Sequence, residues 1–360
     1  MNGGMENPEL LQAVEHFCPH YPHCSVEVIG KGNINTTCLV QSGTQKIILQ
    51  RISANVFPEP LYIIENFYSL VEHLEKRCRD MGESWLFARP VPTTTGAPYF
   101  RDGSGDFWRA QTYLNHHPPV LPLSGSQAKR IGRILAGFHW LVADLTLSKL
   151  HDPLPGFHDL PRYLSRFDAV SGIESVTDDE SCLYCFRAVE RSRSRATFFD
   201  RAKEKGILKV QPVHGDPKID NFIFQKDSAG GGLIDLDTVA AGLVQFDLGD
   251  CLRSCCNRAG EGHSGGAGIH FDMEICRGII GGYFESGYGR LTREECSYIY
   301  DAIFLLTFEL GLRFFSDHLG GDMYFKIKER GENLRRAVVQ FRLAEEIESR
   351  EAEIRKLTEP

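Results

Sequence analysis

The sequence predicts an α+β protein with two lobes: a small lobe built on an antiparallel sheet with one main helix, and a larger, mostly helical lobe. Length predicts two lobes, because 360 residues exceed what a single hydrophobic core usually supports. Short strand-like runs fill the beginning of the chain, whereas helical periodicity dominates later. We therefore expect an amino-terminal lobe at 1–114, a hinge at 115–125 and a carboxy-terminal lobe at 126–360.

The small lobe is predicted from apolar runs that are separated by turns. A glycine-containing loop at Gly30-Lys-Gly32 and a turn at Ser42-Gly-Thr44 divide the first three runs. A helix is expected after Pro58-Glu-Pro60, because apolar residues then recur every three or four positions. The expected strands are Val26–Ile29, Cys38–Val40, Lys46–Leu49, Tyr99–Phe100 and Phe107–Leu114, and the apolar helix positions are Ile63, Ile64, Phe67, Leu70, Val71 and Leu74.

The large lobe is predicted to be helical apart from one hairpin. A helix capped by Ser124 or Ser126 contains His139, which we interpret as a hydrogen-bonded core residue. The apolar run Ala302–Phe315 contains charged residues and is shorter than the about 20 residues that cross a bilayer, so a buried helix is expected. The last helix is expected to run from Glu332 to Lys356 and to fray at its end.

Composition excludes several classes of partner. A net charge of −8 and a pI near 5.9 argue against nucleic acid and anionic membranes, and the arginines of 187–195 are expected on a solvated helix face. No secretory signal is recognised, so we expect a cytoplasmic protein whose eleven cysteines are reduced. The pair Cys182 and Cys185, or Cys251 with Cys255 and Cys256, leaves a zinc site as a weaker alternative.

One stretch of the hairpin region carries the residues expected of a phosphoryl-transfer site. Asp216 opens a tight loop and can accept the proton of an attacking hydroxyl, while the amide of Asn221 lies five residues further on. Asp235 follows Asp216 by nineteen residues, which is enough for a hairpin to bring it back beside Asn221 as a second metal ligand. Lys218 is expected to face the transferred phosphate. Apolar strands flank this loop, at Val210–Val213, Phe222–Phe224 and Leu233–Ile234.

These residues resemble the signature of the aminoglycoside phosphotransferase and choline kinase superfamily, which implies a protein kinase-like fold. The signature is HGD, an Asn, an Ile-Asp strand and a Phe-Asp-Leu turn, which is Phe246-Asp247-Leu248 in this chain. Within the superfamily the sequence is most similar to N-acetylhexosamine 1-kinases over about residues 28–345. That similarity is carried by Gly32–Thr36, Leu49–Ile52 with Val56-Phe57, Ile234–Val239 with Gly242-Leu243, and Glu309–Phe325.

The resemblance implies ATP and Mg²⁺ as cofactors. It makes Asp216 the general base and Asn221 and Asp235 the metal ligands, with Asp247 bracing the catalytic loop and His214 as a scaffold residue. The lysine–glutamate pair that clamps phosphates in most relatives is replaced by Gln50 or Arg51 and by Asn66 or Glu65; Arg51 with Glu65 could restore an ion pair, depending on the strand register. The residues expected to contact the nucleotide are Gly32, Asn33, Asn35, Thr36, Gln50 and Arg51.

For the phosphate acceptor, the resemblance implies the anomeric hydroxyl of an N-acetylhexosamine. Arg313 and Asp317 lie one turn apart on the buried helix and could bind sugar hydroxyls, or could form an internal salt bridge instead. Asp237 is either a second metal ligand or a substrate contact. The alternatives are a kinase for choline, an aminoglycoside or a homoserine-like alcohol, or a pseudokinase scaffold. A protein kinase is disfavoured, because Asp235-Leu-Asp237 replaces Asp-Phe-Gly.

Overall fold

The chain forms two compact units. The computed structural model describes residues 7–18, 23–29, 35–82, 85–172, 179–226, 230–258, 260 and 268–359. Unit 1 consists of Met1–His117, Asp144–Pro155 and Ile223–Ala241, and unit 2 of Pro118–Ala143, Gly156–Phe222 and Gly242–Pro360. The sequence suggested continuous lobes divided at 115–125, whereas two later segments belong with the amino-terminal part. The buried amide of Asn66 explains this arrangement, because it hydrogen-bonds the backbone of His151 and of Val239.

Unit 1 is built on a six-stranded antiparallel sheet. Its order is β1-β2-β3-β6-β4, and β5 pairs with β6. The strands are β1 (Ser25–Ile29), β2 (Thr36–Ser42), β3 (Gln45–Ile52), β4 (Pro90–Val91), β5 (Phe100–Arg101) and β6 (Phe107–Thr112). The helices are α1 (Pro8–Phe17) and α2 (Pro60–Met81). The five predicted strands are confirmed, with shifts of up to three residues at their ends.

The core of unit 1 lies in two clusters on this sheet. The first joins α1 to the sheet through Val14, Leu49 and Trp108, and the second joins β3 to the start of α2 through Ile52 and Ile63. The predicted apolar positions of α2 are buried, as expected for a one-sided helix. Helix α1 was not predicted from the sequence. It is capped by Asn7, whose side chain accepts a hydrogen bond from the Leu10 backbone N–H.

Unit 2 is mostly helical. Its helices are α3 (Gly125–Val142), α4 (Leu160–Ser171), α5 (Glu180–Ser192), α6 (Phe198–Glu204), α7 (Val244–Cys255), α8 (Met273–Glu285), α9 (Arg293–Cys296), α10 (Ile299–Leu319), α11 (Glu332–Ser349) and α12 (Glu351–Thr358). Helices α7, α11 and α4 pack against α10. The approach of α7 to α10 needs Gly249, because a Cβ atom there would lie 2.7 Å from the Ala302 carbonyl carbon. Unit 2 also contains the short strand β7 (Gln211–Val213). The strands β8 (Phe222–Phe224), β9 (Gly231–Leu233) and β10 (Ala240–Gly242) lie wholly or mostly in unit 1, and β8 pairs with β9.

The observed helices and cysteines test several predictions made from the sequence. The buried helix at Ala302–Phe315 is confirmed as part of α10, and no helix of the described residues is long and apolar enough to cross a membrane. The single last helix was wrong: Arg350 leaves helical geometry and separates α11 from α12, and Ile354 of α12 is fully buried rather than frayed. The expectation that every cysteine is reduced was wrong for Cys18 and Cys24, which form a disulfide.

The other cysteine and arginine expectations concern unit 2. Cys182, Cys185, Cys251, Cys255 and Cys256 are buried and form no disulfide, and the described residues contain no group of three or more His, Cys, Asp or Glu side chains arranged for a metal ion. The arginines at the end of α5 form surface ion pairs with acidic residues, which fits a solvated helix face. These pairs are Arg191 with Glu345, Arg193 with Asp168 and Glu190, and Arg195 with Glu348.

Candidate active site

The loop that follows β7 is held in place by one buried carboxylate of α7. Asp247 is fully buried and accepts hydrogen bonds from the backbone N–H groups of His214 and Gly215, both at 2.8 Å. It also pairs at 2.9 Å with Nε2 of His139, whose Nδ1 contacts Tyr283. The prediction that Asp247 braces the loop is confirmed, and His139 is a hydrogen-bonded core residue as expected.

Several cations act on the Asp216 carboxylate. Burial alone would raise the pKa of Asp216, but Lys218, His214 and Arg253 outweigh burial and hold it below its usual range. The Lys218 ammonium is the nearest of them, and it forms an ion pair with Asp216 Oδ2. Asp216 is therefore ionised at neutral pH, and one quarter of its side chain is exposed.

Asn221 lies beside Asp216, as the sequence spacing predicted. Its Nδ2 donates to the Asp216 backbone carbonyl at 2.7 Å, and its side chain is buried. The Asn221 side chain thus bonds to the loop through its amide nitrogen. Its amide oxygen takes no part in this bond, and it is a type of ligand atom that hard cations prefer. Helix α7 fixes the loop a second time, because Ser254 Oγ accepts from the Ile219 backbone N–H at 3.1 Å.

Arg313 of α10 belongs to the same part of unit 2 as Asp216, and the Asp216 charge contributes to its electrostatic environment. Its guanidinium carbon lies between 5.3 and 5.9 Å from the centroids of four aromatic rings. Those rings belong to Phe157, Tyr163, Tyr324 and Phe325. Among the described residues no carboxylate forms an ion pair with Arg313, so the cation is surrounded mainly by aromatic faces.

Asp317 does not pair with Arg313. Its carboxylate accepts backbone N–H groups from Met323, Tyr324 and Phe325 at 2.8–2.9 Å, and it also accepts from Asn333 Nδ2. The Asp317 carboxylate is therefore bonded within the protein, where a sugar contact was predicted. It also does not form the internal salt bridge with Arg313 that was the alternative. Asp317 holds the segment that carries two of the rings around Arg313.

In unit 1, Asp237 lies at the centre of a buried polar cluster. It is 2% exposed and forms an ion pair with Arg109 of β6, which is 3% exposed. Its other oxygen accepts from Asn35 Nδ2 at 2.7 Å, and Asn35 Oδ1 in turn accepts from the Ser53 backbone N–H. Both carboxylate oxygens of Asp237 therefore contact protein side chains. Where a substrate contact was predicted, Asp237 forms an internal ion pair with Arg109.

The register of β3 decides which side chains face the interior. Gln50 is buried and accepts from Arg109 Nη2 at 2.9 Å, while Arg51 is 40% exposed and pairs with Asp106. On α2 the buried residue is Asn66, and the more exposed Glu65 pairs with His151. Arg51 and Glu65 therefore do not form the ion pair that was considered from sequence. The buried cation of this region is Arg109, directly opposite Gln50 on the neighbouring strand.

The remaining predicted residues of unit 1 lie near this cluster or outside the described part. Asp235 is exposed and adopts a left-handed backbone conformation, with φ of 62°. It immediately precedes the short 3₁₀ turn Leu236–Thr238, which the Asp237 ion pair holds. Thr36 begins β2 and pairs with Arg51 in the sheet register. Gly32 and Asn33 lie outside the described residues.

Comparison with known proteins assigns the chain to a family. The phosphotransferase enzyme family (APH) matches residues 25–279, which include Asp216, Asn221, Asp235 and Asp247. The chain belongs to this family. The match covers well over half of the sequence and contains both the loop after β7 and the carboxylate that holds it.

Solved structures share the fold of this phosphotransferase. An aminoglycoside phosphotransferase from Alicyclobacillus acidocaldarius has a TM-score of 0.63 at 15% identity, covering 97% of this chain and 96% of the other. A microcompartment-associated aminopropanol kinase gives 0.64 at 17% identity, covering 94% and 97%. A choline kinase from Cryptosporidium parvum gives 0.63 at 10% identity, covering 96% of each chain. The predicted kinase-like α+β fold is thereby confirmed.

Sequence reasoning missed two charged residues that organise the phosphotransferase. Arg109 stands between the buried Trp108 and Ala110, and a charge at the centre of an apolar strand was a signal that it has a buried partner. His158 lies in the turn before α4, and no sequence pattern links it to the loop after β7. Its ring nevertheless contacts Gly215 and Glu309.

The buried pair in unit 1 predicts a large stability effect. Replacing Arg109 by Met should lower the free energy of unfolding by about 3–5 kcal/mol, because it leaves the Asp237 carboxylate buried without its cation. Urea denaturation of the purified variants measures this loss. The matched control is Arg51→Met, which removes an exposed ion pair of the same unit and should cost about 1 kcal/mol or less. Equal losses in the two variants would contradict the assigned role.

Proposed function

We propose that this phosphotransferase is a small-molecule kinase that transfers the γ-phosphate of ATP to a hydroxyl group, with Mg²⁺ as its metal. The proposed acceptor is the anomeric hydroxyl of an N-acetylhexosamine or a related sugar. The observation that carries the proposal is that unit 2 contains both an ionised Asp216 on a loop held by Asp247 and an Arg313 surrounded by aromatic rings, whose electrostatic environment includes the Asp216 charge. The loop supplies a proton acceptor, and the arginine supplies donors for a substrate.

Asp216 is proposed as the general base. Its carboxylate is ionised at neutral pH, so it orients the acceptor hydroxyl by accepting its hydrogen bond and takes the proton as the oxygen attacks. Lys218 neutralises this carboxylate in the structure. We assign to Lys218 the further role of balancing negative charge on the transferred phosphoryl group.

Asn221 and Asp235 are proposed as the metal ligands. The donor set fits a hard cation, since both side chains offer oxygen and the Asn221 amide nitrogen is already bonded to the loop. When bound, Mg²⁺ neutralises charge on the nucleotide phosphates. On the nucleotide side we propose the segment from Gly32 to Thr36, which includes Asn33 and Asn35, with Gln50 and Arg51. Asn35 and Gln50 act there by positioning, because both are bonded to the Arg109–Asp237 cluster.

Arg313 favours a neutral, hydroxyl-rich acceptor over a cationic one. A permanent cation repels a quaternary ammonium or a protonated amine, which disfavours choline and aminoglycosides as acceptors. Its guanidinium donors suit sugar hydroxyl and amide oxygens. Tyr163 and Tyr324 present aromatic faces beside these donors, and burial raises the pKa of Tyr163 to about 12, so its hydroxyl is neutral and can donate a hydrogen bond.

The direct test is an ATP turnover assay with purified protein against a panel of acceptors. The panel contains N-acetylglucosamine, N-acetylgalactosamine, choline, an aminoglycoside and homoserine. Phosphorylation of the sugars at the anomeric position, identified by phosphorus NMR, supports the proposal. Turnover restricted to choline, to the aminoglycoside or to homoserine would replace the sugar assignment while preserving the kinase. Binding of Mg-ATP without turnover on the panel or on water would favour the pseudokinase alternative.

The Asp216→Asn variant tests the base. Its kcat should fall about 10²- to 10⁴-fold, because the amide cannot accept the proton, while the affinity for nucleotide stays nearly unchanged. Steady-state kinetics and nucleotide titration measure the two effects separately. Asp220→Asn, an exposed position in the same loop, is the control and should behave as the unmodified chain. A kcat for Asp216→Asn within a few-fold of wild type removes Asp216 as the base.

The Asp235→Asn variant tests the metal assignment. Losing one charged oxygen ligand should weaken Mn²⁺ binding in the presence of the ATP analogue AMP-PNP and raise the magnesium concentration needed for half-maximal turnover. Titration of free Mn²⁺ by electron paramagnetic resonance gives the affinity without any turnover. If both measurements match wild type, Asp235 is not a metal ligand.

The Arg313→Met variant tests the acceptor site. The methionine keeps an apolar side chain against the aromatic rings but removes the guanidinium donors, so the KM for the sugar should rise roughly 10- to 150-fold, corresponding to about 1.5–3 kcal/mol for charged hydrogen bonds. The KM for ATP should not change. Arg166→Met is the matched control, because Arg166 also stacks on Tyr163 but lies exposed on α4. Equal sugar KM values in both variants would contradict the assignment.

A further inference from the structure

The residue that precedes the proposed base is held at both of its backbone polar groups. The Gly215 N–H donates to Asp247 Oδ1 at 2.8 Å. The Gly215 carbonyl lies 3.1 Å from Nε2 of His158. Gly215 itself adopts a positive φ of 86°, a conformation that glycine enters without a steric penalty. The direction in which Asp216 leaves the loop is therefore set by one anion and one histidine.

The two partners of His158 fix its protonation. Nε2 faces the carbonyl of Gly215 and Nδ1 lies 3.1 Å from Oε1 of Glu309, so each ring nitrogen faces a hydrogen-bond acceptor. Only the doubly protonated imidazolium donates to both. Glu309 is 3% exposed, and a neutral ring would leave its buried carboxylate without the cation that pairs with it.

The backbone and packing around His158 show that its position is built into the fold. His158 has a φ of 58°, one of three positive values for non-glycine residues in the described part of the chain. Such a conformation costs on the order of 1–3 kcal/mol and persists where surrounding contacts determine it. Here the rings of Phe157 and Phe246 pack on the imidazole, with centroids 3.9 and 5.3 Å away.

We propose that protonated His158 is a positioning residue of the catalytic loop, which holds the Gly215 carbonyl and ties the direction of Asp216 to helix α10 through Glu309. This inference rests on the proposed function. Arg313 follows Glu309 by one turn of the same helix, so the base and the acceptor-binding arginine share one rigid support. His158 touches neither substrate nor nucleotide in this assignment, and it acts through Gly215.

Electrostatics supports the geometry. Burial lowers the pKa of His158, but the Glu309 charge and hydrogen bond, the Gly215 carbonyl and the Asp250 charge outweigh it, and the net pKa is raised. The charged groups around the ring are thus Glu309 on α10 and Asp250 on α7, and Arg313 lies one turn from Glu309. Because the pKa is raised, the imidazolium is present at neutral pH and is lost as the pH rises through that value.

The test combines kinetics with a matched control. In His158→Gln the charge is lost, and kcat should fall roughly 10- to 100-fold, the scale expected for a misplaced catalytic group, while the KM for ATP changes less than about 2-fold. The alkaline decrease of kcat that follows His158 deprotonation should disappear. His270→Gln is the control: His270 also lies 3.1 Å from a glutamate, Glu346, but has no contact with the loop. This control should reproduce wild-type kcat and its pH profile.

Glu309→Gln provides the second variant. It keeps the shape of the side chain and removes the charge that stabilises the imidazolium, so the alkaline decrease should move to lower pH. A folded His158→Gln enzyme with wild-type kcat and an unchanged pH profile would overturn the proposal. An alkaline limb that stays in place in Glu309→Gln would overturn it equally.

A readout that does not need turnover separates this inference from the proposed function. In wild-type protein labelled uniformly with ¹⁵N, the His158 ring should titrate with a raised midpoint, and the backbone amide signal of Gly215 should shift with the same midpoint. Independent titration of the two signals refutes the positioning role, even if His158→Gln fails to fold. If the wild-type chain phosphorylates no acceptor, the proposed function fails, and the same titration still decides whether His158 holds the loop.

Discussion

The arrangement of the loop that carries Asp216 depends on the burial of a single charge, the Asp247 carboxylate. Removing an ionised carboxylate from water costs several kcal/mol unless other groups replace its hydration. Here two backbone N–H groups and the His139 ring supply that replacement, and together with His214 they outweigh burial and keep the pKa of Asp247 low. Because the N–H groups belong to His214 and Gly215, satisfying Asp247 also fixes the loop that precedes Asp216.

The charges of unit 2 then follow a consistent pattern around that loop. Asp216 is surrounded by positive groups, which keep it ionised, and Arg313 is surrounded by aromatic faces rather than by a paired carboxylate. Helix α10 carries both Glu309 and Arg313, and α7 carries both Asp247 and Ser254. The close contact of these helices at Gly249 leaves little freedom for one to slide past the other. A tightly packed helix pair thus holds the polar groups in fixed register.

The sequence predicted the local parts of this arrangement and missed the distant ones. Asp216, Asn221 and the bracing Asp247 were predictable, because short-range spacing and a known signature carry them. The partners of Arg109 and His158 were not, since Asp237 and Glu309 lie 128 and 151 residues away and only the folded chain brings them together. The inward-facing residue of β3 was likewise undetermined, because a shift of one residue reverses the faces of a strand.

The segment after α10 is held through its backbone rather than through its side chains. Asp317 binds this segment through the backbone N–H groups of three successive residues and through the side chain of Asn333, so its course depends little on which side chains it carries. Met323 and Tyr324 are exposed at this segment. Substitutions at these two positions can therefore change the surface that the segment presents, including the Tyr324 ring beside Arg313, while the backbone hydrogen bonds to Asp317 stay intact.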